Sequence, residues 1–487
     1  RVSSDPTAVE ALKAQAARRI RWRRRAKVAL SIAAAVFAVS WGGYEYFLRQ
    51  QAAAAAAARP GIAGLMAYAE SLQPVPASPE VLEAWVLHDA AVAIKIRVDA
   101  LRDVSQQAGL SLSEDYAAVY FDRSPNPAIA EREELQAKAA METIAIYQAQ
   151  GVFNAFDAIA DARRCLKPMQ GTQNAPLTIA NMAWNGQDRS YSSMMNARLT
   201  LAARSGNRAQ IIAAYRTGMA LARMQQMQPA GFAVTLGLIM EQGTHNQLRT
   251  LMLEAPASFD ASTLRGLIAA RNEQCWDMPA SHPMAGDALC MLDTIAWVFS
   301  DPSRVRFGKF SPALGTMLGG WGSAADVPGH LGTFAANQAE SAVRSAAWSQ
   351  LAGLRPAEAM SFRLPPQSSH FVLSLLDYPP YSTLQQRDAM LLARNGTSAM
   401  LAVELYRRTH DAPPPTLEVA LGEGSIHRAM DPYAQGAGEG LRYKLIDAAS
   451  DRLGRPYLIY SIGGDFTDDG GATPPMPYHN ESALPDN

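Results

Sequence analysis

The chain is poor in cysteine and aromatic residues, and it carries almost no net charge. Across 487 residues there are three cysteines, Cys165, Cys275 and Cys290. An odd, sparse set excludes a disulfide framework. Outside the cytoplasm Cys275 and Cys290 could still pair, closing a ring of about 16 residues that contributes ~3 kcal/mol. Three buried free thiols are the competing reading. The formal net charge is -1, so there is no global basic field and no nucleic-acid partner is expected. Aromatics make up only 8% while alanine and methionine are plentiful, which favours helix over sheet.

Catalytic signatures are also missing. The histidines are scattered, and none forms the two-histidine helical pair of a zinc protease. Glu241 and His245 share a helix face at four-residue spacing, where a helix-surface hydrogen bond is expected rather than a ligand pair. Cys275, His282 and Cys290 lack a fourth zinc ligand. No serine sits in a nucleophile elbow or a Ser-x-x-Lys setting. Gly319, Gly320 and Gly322 are not followed by the lysine and hydroxyl of a phosphate-binding loop. No catalytic or cofactor-binding residue is assigned.

What is present begins near the N-terminus. Arg18, Arg19, Arg21, Arg23, Arg24, Arg25 and Lys27 form a basic cluster, and an apolar run over residues 28–48 follows, broken only by Glu45. About 20 helical residues at ~1.5 Å each reach ~30 Å, the thickness of a bilayer's hydrocarbon layer. Trp22 stands at one edge, and Trp41, Tyr44 and Tyr46 at the other, as interfacial aromatics do. We read a single-pass transmembrane helix in contact with lipid. Positive flanks stay cytoplasmic, so the bulk of the chain is expected outside the cytoplasm, anchored to the inner membrane. A cleaved signal peptide, with Ala52–Ala58 as its small-residue site, is the competing reading, and the run is long for one.

The rest divides by punctuation. Residues 1–27 form the basic cytoplasmic segment, 28–48 the span, and 49–79 a helical extension and linker. An α-helical body is expected over 80–300, with breaks at Gly151, at Gly206–Asn207 and over Pro256–Asp260. Residues 301–383 hold a glycine-rich loop, a helix from Phe334 and a proline-rich connector. Residues 384–471 read as a small α+β unit: a helix to about Thr409, then a hairpin of the strand-like runs from Leu441 and Tyr457. Residues 472–487 are a tail. The fold class is therefore mainly α.

Two resemblances add to this. "ARLTLAARSGNRAQIIAAYRTGMALA" and "ASTLRGLIAARNEQ" resemble a family of membrane-anchored bacterial proteins with a helical, repeat-like, tetratricopeptide-like body. That implies an extracytoplasmic helical scaffold with protein partners. The C-terminal unit resembles the head of the type II secretion major pseudopilin. The shared order is Pro415 and Leu417, then Asp431-Pro432, then Leu441 to Tyr443, then a strand ending before an acidic loop. It departs from a pseudopilin in its distance from the span and in Glu45 lying at the span's far end. By position the resemblance implies calcium at Asp465, Asp468 and Asp469. Three carboxylates on a glycine-flexed loop supply about half of calcium's six to eight oxygens; a solvated acidic turn is the alternative. Taken together, the sequence points to a membrane-anchored interaction or scaffold protein without catalytic activity. An extracytoplasmic enzyme, or an accessory part of a secretion or envelope complex, is the alternative.

Overall fold

The structure, a computed structural model, describes residues 6–78, 80–105, 116–119, 127–167, 177, 188–301, 332–370, 372–373, 381–424, 426, 429–436, 438–449, 451 and 454–471. Most of the glycine-rich loop, much of the irregular stretch 167–189 and of the proline-rich connector, and nearly all of the tail lie outside the described residues.

The chain is mainly helical. The first helix, α1 (Pro6–Ala58), carries the arginine cluster, the apolar run and the alanine run without a break. At 1.5 Å per residue it is ~80 Å long. It is long and apolar enough to cross a membrane, and its apolar window is wholly exposed. Val28, Leu30, Ile32, Val36, Phe37 and Val39 point away from the protein. The exposure ends at Leu48, and Ala52 and Ala55 are buried. There α1 meets α10 (His282–Phe299) and α11 (Phe334–Gly353), and Ala55 joins a cluster with Met291, Ile295, Trp348 and Leu351.

Pro60 ends α1, and α2 (Gly61–Ser71) turns away with Gly61 at φ +60°. Arg59 pairs with Asp293 of α10 at 2.8 Å. The same carboxylate, fully buried, accepts from the main-chain N–H of Gly61 at 3.1 Å and of Leu177 at 2.9 Å. One side chain thus holds the residue just past the end of α1, the start of α2 and the distant Leu177.

Next come α3 (Ala84–Ser105), α4 (Pro127–Ala149) and the short α5 (Val152–Asp157), with Gly151 at φ +71° making the expected break before α5. Their apolar faces, with Trp85, Tyr147, Phe153 and Phe156, form one cluster against α6 (Asp188–Arg204) and α7 (Arg208–Gln226). Arg164, 1% exposed, clamps the linker beneath: it donates to Glu70, Glu83 and the Val75 carbonyl.

The expected helical hairpins follow. Between α6 and α7 the chain turns at Gly206, φ +69°, and the Asn207 side chain accepts from Gln210 N–H to cap α7. α8 (Gly231–Glu254) packs on α7. α9 (Ala261–Gln274) is capped by Asp260, which accepts from Thr263 N–H at 2.8 Å. Met195, Leu199, Ala202, Tyr215, Met219 and Ala222 are buried, as their spacing predicts, and Ile212 of the same set is half-buried against the same cluster.

After the one-turn α12 (Pro356–Ala359) comes α13 (Tyr381–His410), then α14 (Leu417–Glu423). β1 (Arg442–Leu445) and β2 (Tyr457–Tyr460) pair antiparallel, with Arg442 opposite Tyr460. Among the described residues this two-stranded sheet is the whole of the β-structure beyond isolated bridges. The segment read as a C-terminal unit is not set apart. Ala399, Leu401, Val403, Leu417 and Tyr457 share one hydrophobic cluster with Leu199, Leu251 and Leu267 of the helical body.

Replacing Asp293 with alanine removes the acceptor shared by the Gly61 and Leu177 N–H groups and one partner of Arg59, a loss of about 3 kcal/mol. Hydrogen exchange should then quicken in residues 61–71 while α7 and α8 keep their protection. Unchanged exchange in α2 would show that Asp293 does not hold it.

Candidate functional site

The densest group of chemistry-bearing side chains lies where α7, α8, α9 and α13 meet. Among the described residues, one trio of ligand-type side chains comes within 4.8 Å of one another: Glu241, His245 and Cys275. Glu241 and His245 sit one turn apart on α8, and Cys275 follows the last residue of α9. Gly237, a turn earlier, lets α8 approach α7, since a Cβ there would stand 2.7 Å from the Ala222 carbonyl oxygen.

Arg394 of α13 completes the site. Its Nε lies 2.5 Å from Glu241 Oε1 and its Nη2 2.9 Å from Oε2, a bidentate pair. Gln226 Nε2 donates to Oε2 at 2.6 Å. His245 Nε2 lies 3.3 Å from Oε1, and Tyr215 Oη lies 3.4 Å from Nδ1. A neutral ring protonated on Nε2 satisfies both contacts, donating to the carboxylate and accepting from the phenol.

The electrostatics follow from these partners. Burial works against the Glu241 carboxylate, but the Arg394 charge and the His245 hydrogen bond outweigh it and hold the group well below the usual range. Burial keeps His245 below its ordinary value against the pull of Glu241. The Cys275 thiol is pushed up to about 11 by burial and then by Glu241. At neutral pH the group is a carboxylate, a neutral imidazole, a protonated thiol and a guanidinium.

That composition decides what the site can do. A thiol titrating near 11 is a poor nucleophile. A metal ion would have to take Glu241 from Arg394, whose guanidinium already fills both carboxylate oxygens, so the trio does not fit a cation. Glu241 is 2% exposed and His245 0%, so the carboxylate and the imidazole are closed to a substrate, while Cys275 is half-buried. The arrangement is an internal ion-pair network joining α8 to α13.

The hydrogen bond expected between Glu241 and His245 is present, but it is in the core and not on a helix surface. Their spacing was legible; the partner, Arg394, lies 153 residues further on, and nothing local announces it.

The other residues singled out from sequence do not converge. All three cysteines are free thiols. Cys290 packs with Leu65 and Leu177, while Cys275 packs against the main cluster. His282 is committed elsewhere: its Nε2 donates to the Gln226 carbonyl at 2.7 Å and its Nδ1 accepts from Tyr68 at 2.8 Å. In the acidic loop each aspartate closes a turn on itself. Asp465 accepts from Thr467 N–H, Asp468 from Gly470 N–H and Asp469 from Gly471 N–H, at 3.0–3.2 Å. The second Asp468 oxygen faces Arg442 at 3.8 Å. These three carboxylates are not among the trios drawn together, and the loop has the geometry of successive Asx turns.

Comparison with known proteins gives no further guide: no family model, no curated protein and no solved structure matches this chain.

His282 supplies a pH test. Burial pushes its imidazole down to about 4 from 6.5. The unfolded chain therefore takes up the proton first as pH falls. The stability this neutral ring contributes is present above pH 6.5 and is lost between 6.5 and 4, up to about 3 kcal/mol. Denaturant unfolding should show that decline, and His282→Gln should flatten it while lowering stability at pH 7.5. An unaltered slope in the variant would assign the decline to other groups.

Breaking the network should cost more than deleting it. Arg394→Met leaves a buried carboxylate and should destabilise by about 3–5 kcal/mol. Adding Glu241→Gln should recover much of that loss in urea unfolding. Additive losses would mean that the two side chains are not coupled.

Proposed function

We propose that this is a membrane-anchored scaffold protein whose helical body works outside the cytoplasm by binding protein partners, not by catalysis. The carrying observation is α1: a wholly exposed apolar stretch that passes without a break into a helix end buried in the body. A helix that is apolar on every side and unpacked is suited to lipid. The arginine cluster on its N-terminal side favours an orientation with the body extracytoplasmic. Within the Glu241 network Arg394 and His245 are both committed to the carboxylate, which fits a structural role for that group.

The tetratricopeptide-like reading of the body draws support from the consecutive helical hairpins α6–α7 and α8–α9. The pseudopilin-like reading of the end draws support from a long helix followed by a β-hairpin. Both remain proposals of kinship in shape.

Alkaline carbonate should leave the full chain in the membrane fraction. Protease added to intact spheroplasts should digest the body. Digestion only after lysis would invert the topology, and release by carbonate would remove the anchor.

A further inference from the structure

Between α8, α13 and the hairpin lies an open groove of ≈ 780 Å³. Its lining is unlike the core network, because its cations are not all spoken for. Four arginines, Arg249, Arg407, Arg408 and Arg455, reach it against one acidic residue, Glu404. Glu404 is already engaged, accepting from Arg407 Nη1 at 2.6 Å and from Tyr457 Oη at 2.7 Å. Arg455 is held by Asp451 at 2.7 Å. Arg408 donates to a neutral carbonyl, that of Pro256.

Arg249 is the informative one. It is half-buried, and its guanidinium donates to Asn246 Oδ1 at 2.5 Å. Among the described residues no carboxylate pairs with it. Gly396 on α13 makes its place: a Cβ there would lie 2.9 Å from Nη1. A guanidinium drawn partly out of water without an anion is costly. Burial accordingly lowers its pKa, with no carboxylate to offset the effect.

The opposite wall is a strand edge. Residues 454–459 line the groove in succession. Among the described residues β2 has a strand partner on one side only, β1. Ile446 N–H donates to the Pro456 carbonyl at 3.1 Å, which sets the alternation of the ladder. Leu458 and Tyr460 therefore bond to β1, while the N–H and C=O groups of Tyr457 and Ile459 point away from it. Such an edge is a template for another strand. Met400 and Leu253 give the groove an apolar floor.

We propose that this groove binds an extended, acidic stretch of a partner polypeptide, which adds as a strand to the edge of β2 and sets carboxylates against Arg249 and Arg408. The main-chain bonds would come from Tyr457 and Ile459, and the preference for acid from the unmatched guanidiniums. This deepens the scaffold reading by naming a surface and a partner chemistry. It rests on that reading only for the partner's being a protein.

The test uses the full chain in zwitterionic detergent, so an error in membrane topology would not affect it. Three labelled, end-blocked decapeptides are compared by fluorescence anisotropy: alternating glutamate and valine, the same with lysine for glutamate, and the glutamate peptide N-methylated throughout. The glutamate peptide should bind, and the other two should bind at least about tenfold more weakly. Arg249→Gln should weaken the glutamate peptide about tenfold without lowering the melting temperature. Failure of the glutamate peptide to bind, or equal binding of the lysine peptide, overturns the proposal. So does equal binding of the N-methylated peptide, which would leave a small-anion site without strand addition. The peptide arms do not depend on any variant folding.

Discussion

A carboxylate and a guanidinium buried together, Glu241 on α8 and Arg394 on α13, fix how these two helices meet. Neither charge tolerates a low-dielectric interior alone. The pair therefore forces one register between two helices far apart in sequence, with Gln226 and His245 taking up the remaining valence. Hydrophobic packing of leucine and alanine on α13 would accept small slides along α8; a bidentate pair does not. Since α14 and the hairpin pack against α13, their position relative to the helical body follows from this one contact.

Two populations of arginine emerge. Arg164, Arg198 and Arg394 are nearly inaccessible and have carboxylates within bonding distance. They are part of the architecture. Arg249 sits at the rim of the same interior with an asparagine for company. Arg164, Arg198 and Arg394 are structural charge, whereas the guanidinium of Arg249 faces a groove where another molecule can meet it.

The sequence reading went furthest where structure is decided locally. Gly206 turns the chain through its backbone preference, Asn207 and Asp260 cap the following helices with their side chains, and the structure places helix ends there. The apolar run of α1 and the tyrosine-rich strands were legible for the same reason. The interactions that join these pieces were not. Asp293 meets Arg59 from 234 residues away, and no periodicity encodes that. Nor does composition separate an acidic metal loop from a run of Asx turns, because both use aspartate among glycines. In this loop one oxygen of each aspartate accepts from the amide two residues on, a local geometry that the composition does not spell out.

The junction at Leu48 to Arg59 has a mechanical consequence. Many anchored proteins hang from a flexible tether and sample a hemisphere around it, with an effective concentration set by linker length. Here the last three turns of α1 are themselves built into the core, through Ala55 and the Gln51 contact to Phe334 N–H, and Arg59 just beyond is locked to Asp293. With α1 in a bilayer, the body cannot swivel or lift independently of the helix. It would drift in the membrane plane at one height, presenting the same face sideways and the same face down. Its search for partners becomes two-dimensional, and only molecules that reach that particular height would meet the groove.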